Sequence, residues 1–349
     1  MKHRMMGLLI VPAGLALFSP ALTAGAARDG SAANGTRSGP KIAFTRTIVK
    51  PRYTSHLFLI NPDGSGLRQL TYGDVTDLWH SWSPDGSRIV FERLVRSRGN
   101  DIFGVNADGT SLRRLTYTDT SHQPAWSPDG RSIAYYDSTG VFVMNADGTG
   151  KRLLTDQAGR GSPARSPTWS PDGRMVAFAS TLGGIFVVNA DGSGEQRLTS
   201  SGSFACPAWS PDGHRIAFVS LYDSIYVVDA AGGPERRLTR HAYTESGFAW
   251  SPDSRRIVYA REKRGGVYTI DVDGTGDRRL TRNPLKQDFS PDGFGYSPDR
   301  RTIAYASDRT GKGDIYLMNA GGGNQRQLTN GPNVDGAPAW SLSAYAGSC

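Results

Sequence analysis

Cysteine is nearly missing: the 349 residues hold two, Cys206 and Cys349. That is too few for a disulfide-stapled scaffold. Neither stands near the head of the chain, so no lipid-modified cysteine is available there. Cys206 reads as a small buried apolar residue, and whether it pairs with Cys349 stays open. No G-x-S-x-G, H-E-x-x-H or G-x-x-x-x-G-K-[ST] stretch occurs, so serine-hydrolase, zincin and P-loop chemistry have no support. An aromatic and basic nucleic-acid module is also missing, and no nucleic-acid partner is expected. Long apolar runs are absent too, with one exception.

The exception runs from Met5 to Phe18, behind Lys2, His3 and Arg4 and ahead of Ala24-Gly25-Ala26. A basic head, a short apolar stretch and small residues have the form of a secretory signal peptide. Pro12, Gly14 and Pro20 interrupt a run that is short for a bilayer span. We expect residues 1–26 to be a cleaved signal peptide and residues 27–40, small and polar, to be a flexible linker. The protein would then be secreted or periplasmic, with no membrane span after cleavage. Loss of Lys2 and Arg4 lowers the formal net charge from +8 to +6.

What is plentiful is glycine, proline and tryptophan, at 43, 20 and 7 residues. This balance favours short strands joined by tight turns, hence an all-β chain. Self-similarity then organises the sequence. "WSPDG" stands at Trp82, Trp126, Trp169 and Trp209, becomes "WSPDS" at Trp250 and "YSPDR" at Tyr296, and ends as "WSLS" at Trp340. Seven residues after each of the first six aromatics comes a β-type triplet, such as Ile89-Val90-Phe91 or Ile303-Ala304-Tyr305. A second strand, a turn like "NADGSG" and a short strand ending in Leu-Thr follow. Each unit therefore has four strands.

A seventh triplet, Ile42-Ala43-Phe44, opens the series without an aromatic strand before it, while "APAW" (Ala337 to Trp340) closes the series with no triplet after it. The missing piece and the spare piece match. Four-stranded units spaced 40 to 46 residues apart predict blades of a β-propeller. We expect seven blades over residues 41–349, in a ring closed by pairing of the N- and C-terminal strands.

The string "PAWSPDG…IAF…IFVVNADGSG…RLT" resembles the WD40-like (PD40) repeat of the TolB-like β-propellers, also found in propeller domains of prolyl oligopeptidase relatives. The resemblance covers about residues 41–341. TolB itself has an α/β domain before a six-bladed propeller, and the peptidase relatives carry a hydrolase domain. Here a linker precedes the first unit and nine residues follow Trp340, so neither function is carried over. Seven-bladed relatives include oligogalacturonate lyases, whose metal is held mainly by histidines. The histidines of this sequence lie at different offsets and form no such cluster.

In Ser-Pro-Asp-Gly, Pro presets φ, Asp bonds to nearby backbone and Gly takes the conformation other residues avoid, so the motif turns a corner. Its Trp is expected to pack between units. "DVDGTGD" (Asp271 to Asp277) has its glycine at the wrong place for a calcium loop, so Asp-Gly at a hairpin is the better account.

These turns would share one face of the ring, leaving the variable loops on the other as the expected binding face. Loops of four consecutive units carry Arg261, Lys263, Arg264, Arg309, Lys312, Arg46, Lys50, Arg52, Arg93, Arg96 and Arg98. The corresponding loops of the other three carry Asp137 and Asp223. Such asymmetry would attract an acidic partner. At the channel mouth, five residues before the inner aromatic, stand Asp77, Glu245 and Asp335, with His80, His122 and Arg165 at neighbouring levels. Carboxylates beside histidines could hold a cation or move protons. We expect a monomeric scaffold for a protein partner or an anionic envelope polymer, with no metal or cofactor. The alternative is an enzyme acting on carbohydrate or peptide at the mouth.

Overall fold

A computed structural model describes residues 39–48, 53–96, 98–156, 164–180, 183–199, 204–220, 224–239, 247–261, 266–281 and 293–342. The expected signal peptide, Lys50, Arg52, Asp223, Glu245, Lys263, Arg264 and Cys349 lie outside these residues, as does the expected linker apart from Gly39 and Pro40. Every element among the described residues is a strand. No helix among them is long and apolar enough to cross a membrane.

The strands begin with β1 (Ile42–Ile48), β2 (Thr54–Ile60) and β3 (Arg68–Gln69). A second unit holds β4 (Val75–Trp82), β5 (Arg88–Val95), β6 (Gly99–Asn106) and β7 (Arg113–Arg114). The third holds β8 (His122–Trp126), β9 (Ser132–Tyr136), β10 (Gly140–Asn145) and β11 (Arg152–Asp156). The fourth holds β12 (Ala164–Trp169), β13 (Met175–Ser180), β14 (Ile185–Asn189) and β15 (Gln196–Arg197). The fifth holds β16 (Phe204–Trp209), β17 (Arg215–Ser220), β18 (Ser224–Asp229) and β19 (Arg236–Arg237). The sixth holds β20 (Phe248–Trp250), β21 (Arg256–Ala260), β22 (Val267–Asp271) and β23 (Arg278–Arg279). Last come β24 (Phe294–Tyr296), β25 (Thr302–Ser307), β26 (Asp314–Asn319), β27 (Arg326–Gln327) and β28 (Val334–Trp340).

Each unit is a four-stranded antiparallel sheet, the arrangement of a propeller blade. The final strand completes the first unit: β28 lies antiparallel to β1, with Trp340 opposite Ile42 and Ala339 opposite Ala43. The first and second units are joined through one parallel contact, Ser55 beside Thr76.

Local chemistry explains the repeated letters. In "SPDG" the Ser83 hydroxyl donates to Asp85 (2.6 Å), and the Ser87 and Arg88 amides donate to Asp85 and Ser83 (3.0 and 2.9 Å). The same three bonds recur around Asp129, Asp172, Asp212, Asp253 and Asp299. Hydrogen bonds to Ser127, Ser170 and Ser297 hold the carboxyls of Asp129, Asp172 and Asp299 below the ordinary range. Gly86 sits at φ +68°, a conformation that Ser254 and Arg300 adopt at +59° and +65° in the units without glycine.

The Leu-Thr pair has a job at each of its two residues. Leu70, Leu115, Leu198, Leu238 and Leu280 are buried, and the following threonine accepts a backbone amide from the strand beside it at 2.9 Å, as Thr239 does from Ile225. Thr71, Thr116, Thr199, Thr281 and Thr329 accept from Leu57, Ile102, Ile185, Val267 and Ile315 in the same way.

The core is divided into clusters, and each lies between two neighbouring units. Trp82 and Ile89 of the second unit pack on Leu57 and Leu59 of the first. Trp209 and Phe218 of the fifth pack on Ala177 and Val187 of the fourth. Another cluster joins Ala304 and Leu317 of the last unit to Ile42, Phe44 and Trp340 of the first. Five of the repeat indoles reinforce these contacts by donating to an inner-strand carbonyl of the preceding unit, as Trp250 does to Ala208 at 2.9 Å.

A left-handed residue stands three places before each inner aromatic, within the strand in five units and just ahead of it in the sixth and the last. Trp79, Gln123, Ser166, Cys206 and Ala337 have φ between +46° and +58°, and Gly247 and Gly293 stand at +56° and +101°. The ladder shifts register at this point, which makes it a β-bulge. The next residue is Pro124, Pro167, Pro207 or Pro338 in four units, where no ladder hydrogen bond is left to lose. Cys206, read as a small buried apolar residue with its pairing open, is half-buried and disulfide-bonded.

Candidate functional site

The bulge sets which residues meet at the loop end of the inner strands. On β4 and β5 it places Asp77 opposite Arg93, and on β28 and β1 it places Asp335 opposite Arg46. Arg93 grips Asp77 with two bonds of 2.6 and 2.9 Å, and Arg46 grips Asp335 with two of 2.6 and 2.7 Å. Both carboxylates are buried, at 0% and 2% exposure. Mouth carboxylates and loop arginines, two separate features in the sequence, are here partners in bidentate pairs.

The arginines also rest on aromatic pairs. Arg93 lies 5.2 and 5.0 Å from the Phe91 and Phe103 ring centres, and Arg46 lies 5.4 and 4.7 Å from those of Phe44 and Phe58. The sixth and last units repeat the arrangement: Arg261 is 4.3 Å from Tyr268 and Arg309 is 4.1 Å from Tyr316. Arg261 reaches Asp277 at 2.8 Å, while Arg309 donates to Gln325 at 3.0 Å. Burial drives the Tyr259 and Tyr305 hydroxyls above the ordinary tyrosine range. A guanidinium over a ring face is attracted by the ring quadrupole, so these four arginines hold their own blades together.

The other loop cations are freer. Arg96 is half exposed and 3.6 Å from Asp74. Arg98 is exposed and Lys312 half-buried.

The histidines separate. His80 takes the place that proline holds in four other units, and it is buried at 5% exposure with neither ring nitrogen hydrogen-bonded. Burial lowers its pKa to about 4, against a smaller opposing effect from the Ala43 backbone. His122 stacks on Tyr136 with ring centres 5.0 Å apart, and its Nδ1 is 3.0 Å from Glu92. Glu92, itself buried, also accepts from Asn100 (2.7 Å) and from the Gln123 amide (3.0 Å). Burial, with Glu92 nearby, raises the Tyr136 hydroxyl to about 12, against Arg165. Arg165 is exposed.

Glu92, His56 and Asp314 were missed from sequence. Glu92 had a signal, because it follows its triplet where the other units carry Thr45, Tyr136, Ala179, Val219, Ala260 and Ala306. His56 lies 4.0 Å from Asp77, and burial lowers its pKa. Asp314 is fully buried and accepts from Thr310 and Gln327 (2.7 and 3.0 Å); burial, with Asp335 nearby, raises its pKa.

Trp79, His80, Gln123, Ser166, Cys206 and Phe248, from five inner strands, line a cavity of about 60 Å³. That is enough for a few waters. Among the described residues, no group of three or more His, Cys, Asp or Glu is placed to hold a metal ion.

The TolB beta propeller domain family matches residues 38–205 and again 199–294. No curated protein matches the chain. Among solved structures, TolB from Acinetobacter baumannii is 20% identical at a TM-score of 0.57, over 88% of this chain and 67% of that one. An oligogalacturonate lyase from Vibrio parahaemolyticus is 14% identical at 0.60, over 76% and 83%. A chain of a nidogen/laminin complex is 14% identical at 0.52, over 68% and 92%. These likenesses describe a shared fold.

Proposed function

Because the chain belongs to the TolB beta propeller domain family, we propose that it is an exported, monomeric binding scaffold. In this reading seven blades close into one ring, and the loop face holds a protein or an anionic envelope polymer outside the cytoplasm. The pairing of β1 with β28 and the core cluster linking the last unit to the first support closure. The nidogen/laminin chain supports a protein-binding role for this kind of propeller.

The observation that carries the scaffold reading is the engagement of Asp77 and Asp335 by Arg93 and Arg46. Carboxylates held in buried bidentate pairs have their oxygens engaged and are withdrawn from cation binding. The loops also carry cations toward solvent: Arg98 and Lys312 make no ion pair among the described residues, and Arg96 makes a loose one with Asp74.

Capture from envelope extract tests this reading, with the mature protein beside an Arg98→Glu, Lys312→Glu variant of matched melting temperature. The wild type should retain a partner that the variant loses, and retention should fall with added salt. A partner held equally by both and indifferent to salt overturns the basic-face reading.

A second reading, an enzyme acting on carbohydrate or peptide, is favoured by one observation: Glu92 orients His122 from 3.0 Å. Turnover of an acidic oligosaccharide or a peptide, lost in His122→Ala, would decide for it.

A further inference from the structure

Away from the mouth, between the second and third units, lies a cavity of about 330 Å³. Its origin is visible in the register. In five units the middle triplet residue is alanine facing a larger side chain: Ala43 faces Leu59, Ala134 faces Val143, Ala177 faces Val187, Ala217 faces Val227 and Ala304 faces Leu317. In the second unit Val90 faces Gly104. The bulk has moved inward and the outer strand is bare. Nothing in the backbone demands glycine there, since an added Cβ would make ordinary contact with Leu115 at 3.5 Å.

The same cavity holds a cation without its counter-ion. Arg88, Arg215 and Arg256 occupy one position in three units, and their register partners are Asn106, Asp229 and Asp271. Arg256 lies 2.8 Å from Asp271 and Arg215 lies 3.7 Å from Asp229. Arg88 meets an amide instead. Its guanidinium lies 4.8 Å from the ring centre of Trp126 and makes one long bond, 3.4 Å, to the Ala146 carbonyl, which Arg113 also approaches at 3.3 Å. The carboxylates whose charge reaches these two arginines, Asp85 and Asp147, accept from the serines and threonine of their own turns. Trp126 is also the one repeat indole whose buried Nε1 has no hydrogen-bond partner.

We propose that this cavity binds a small organic carboxylate with a flat apolar body. The carboxylate sits between Arg88 and Arg113, where a guanidinium can bind it with two parallel hydrogen bonds. The body packs on Val90, Leu115 and the Trp126 ring. The volume lies at the lower end of the range for small-molecule sites. This site is independent of the loop face and of whatever partner that face holds.

Calorimetric titration of the full chain with benzoate, benzyl alcohol and acetate tests the inference. Benzoate should bind, with benzyl alcohol and acetate each weaker by about tenfold or more, because one lacks the charge and the other the ring. Arg88→Gln should weaken benzoate by about tenfold, and Gly104→Val should abolish binding by filling the space. No heat from benzoate at about 10 mM, or an affinity unchanged in Arg88→Gln, overturns the proposal. Should Gly104→Val fail to fold, the Arg88→Gln titration decides by itself.

Discussion

Asp77 and Arg93 face each other across β4 and β5, joined by bonds of 2.6 and 2.9 Å, with the carboxylate shut off from water. Removing one partner of such a pair leaves the other charge buried and alone, at a cost of about 3–5 kcal/mol. Urea denaturation of Asp77→Ala should show a loss of this size. The double variant Asp77→Ala, Arg93→Leu should recover part of it, because the uncompensated charge is gone.

The burial of His80 gives stability a pH dependence. Its pKa falls from 6.5 unfolded to about 4 folded, so the unfolded chain binds the proton first. The neutral ring's contribution is complete above pH 6.5 and is lost as pH falls from 6.5 to 4. The loss should approach about 3 kcal/mol. Denaturation midpoints across this window, compared with His80→Phe, isolate the effect; parallel curves would refute it. Phenylalanine is the natural choice because Phe248 and Phe294 hold the same position in two other units.

Thr239→Val keeps the volume and removes the acceptor of the Ile225 amide, both groups being buried. An orphaned buried amide costs about 1–3 kcal/mol. Thermal unfolding should show a clear drop, and hydrogen exchange at Ile225 should accelerate first.

Arg300 is exposed at φ +65°, at a position where four units use glycine. A left-handed side chain costs about 1–2 kcal/mol, while glycine costs about 0.4–1 kcal/mol through the unfolded chain. Arg300→Gly should therefore raise stability by about 0.5–1 kcal/mol, read as a higher urea midpoint.

The four-stranded units and the completion of the first by "APAW" were legible because turn chemistry and strand alternation act over a few residues. The pairing at the mouth was not. Trp82 faces Ile89, and counting back along two regular strands sets Asp77 against Leu94; the bulge shifts the register by one and brings Arg93 there. That bulge is built on Trp79, a residue with no intrinsic preference for positive φ, so no local signal announces it.

The left-handed residues and the prolines that follow them have a consequence for the inner edges of the units. An unbroken inner edge would offer a visiting peptide a row of amides and carbonyls on which to add itself as a further strand. Here the row is interrupted in five units, and in four of them the next position has no amide hydrogen at all. Addition of a further strand is thereby hindered along these edges. Side chains at the loop ends and in the gaps between units, by contrast, can vary without disturbing the repeat.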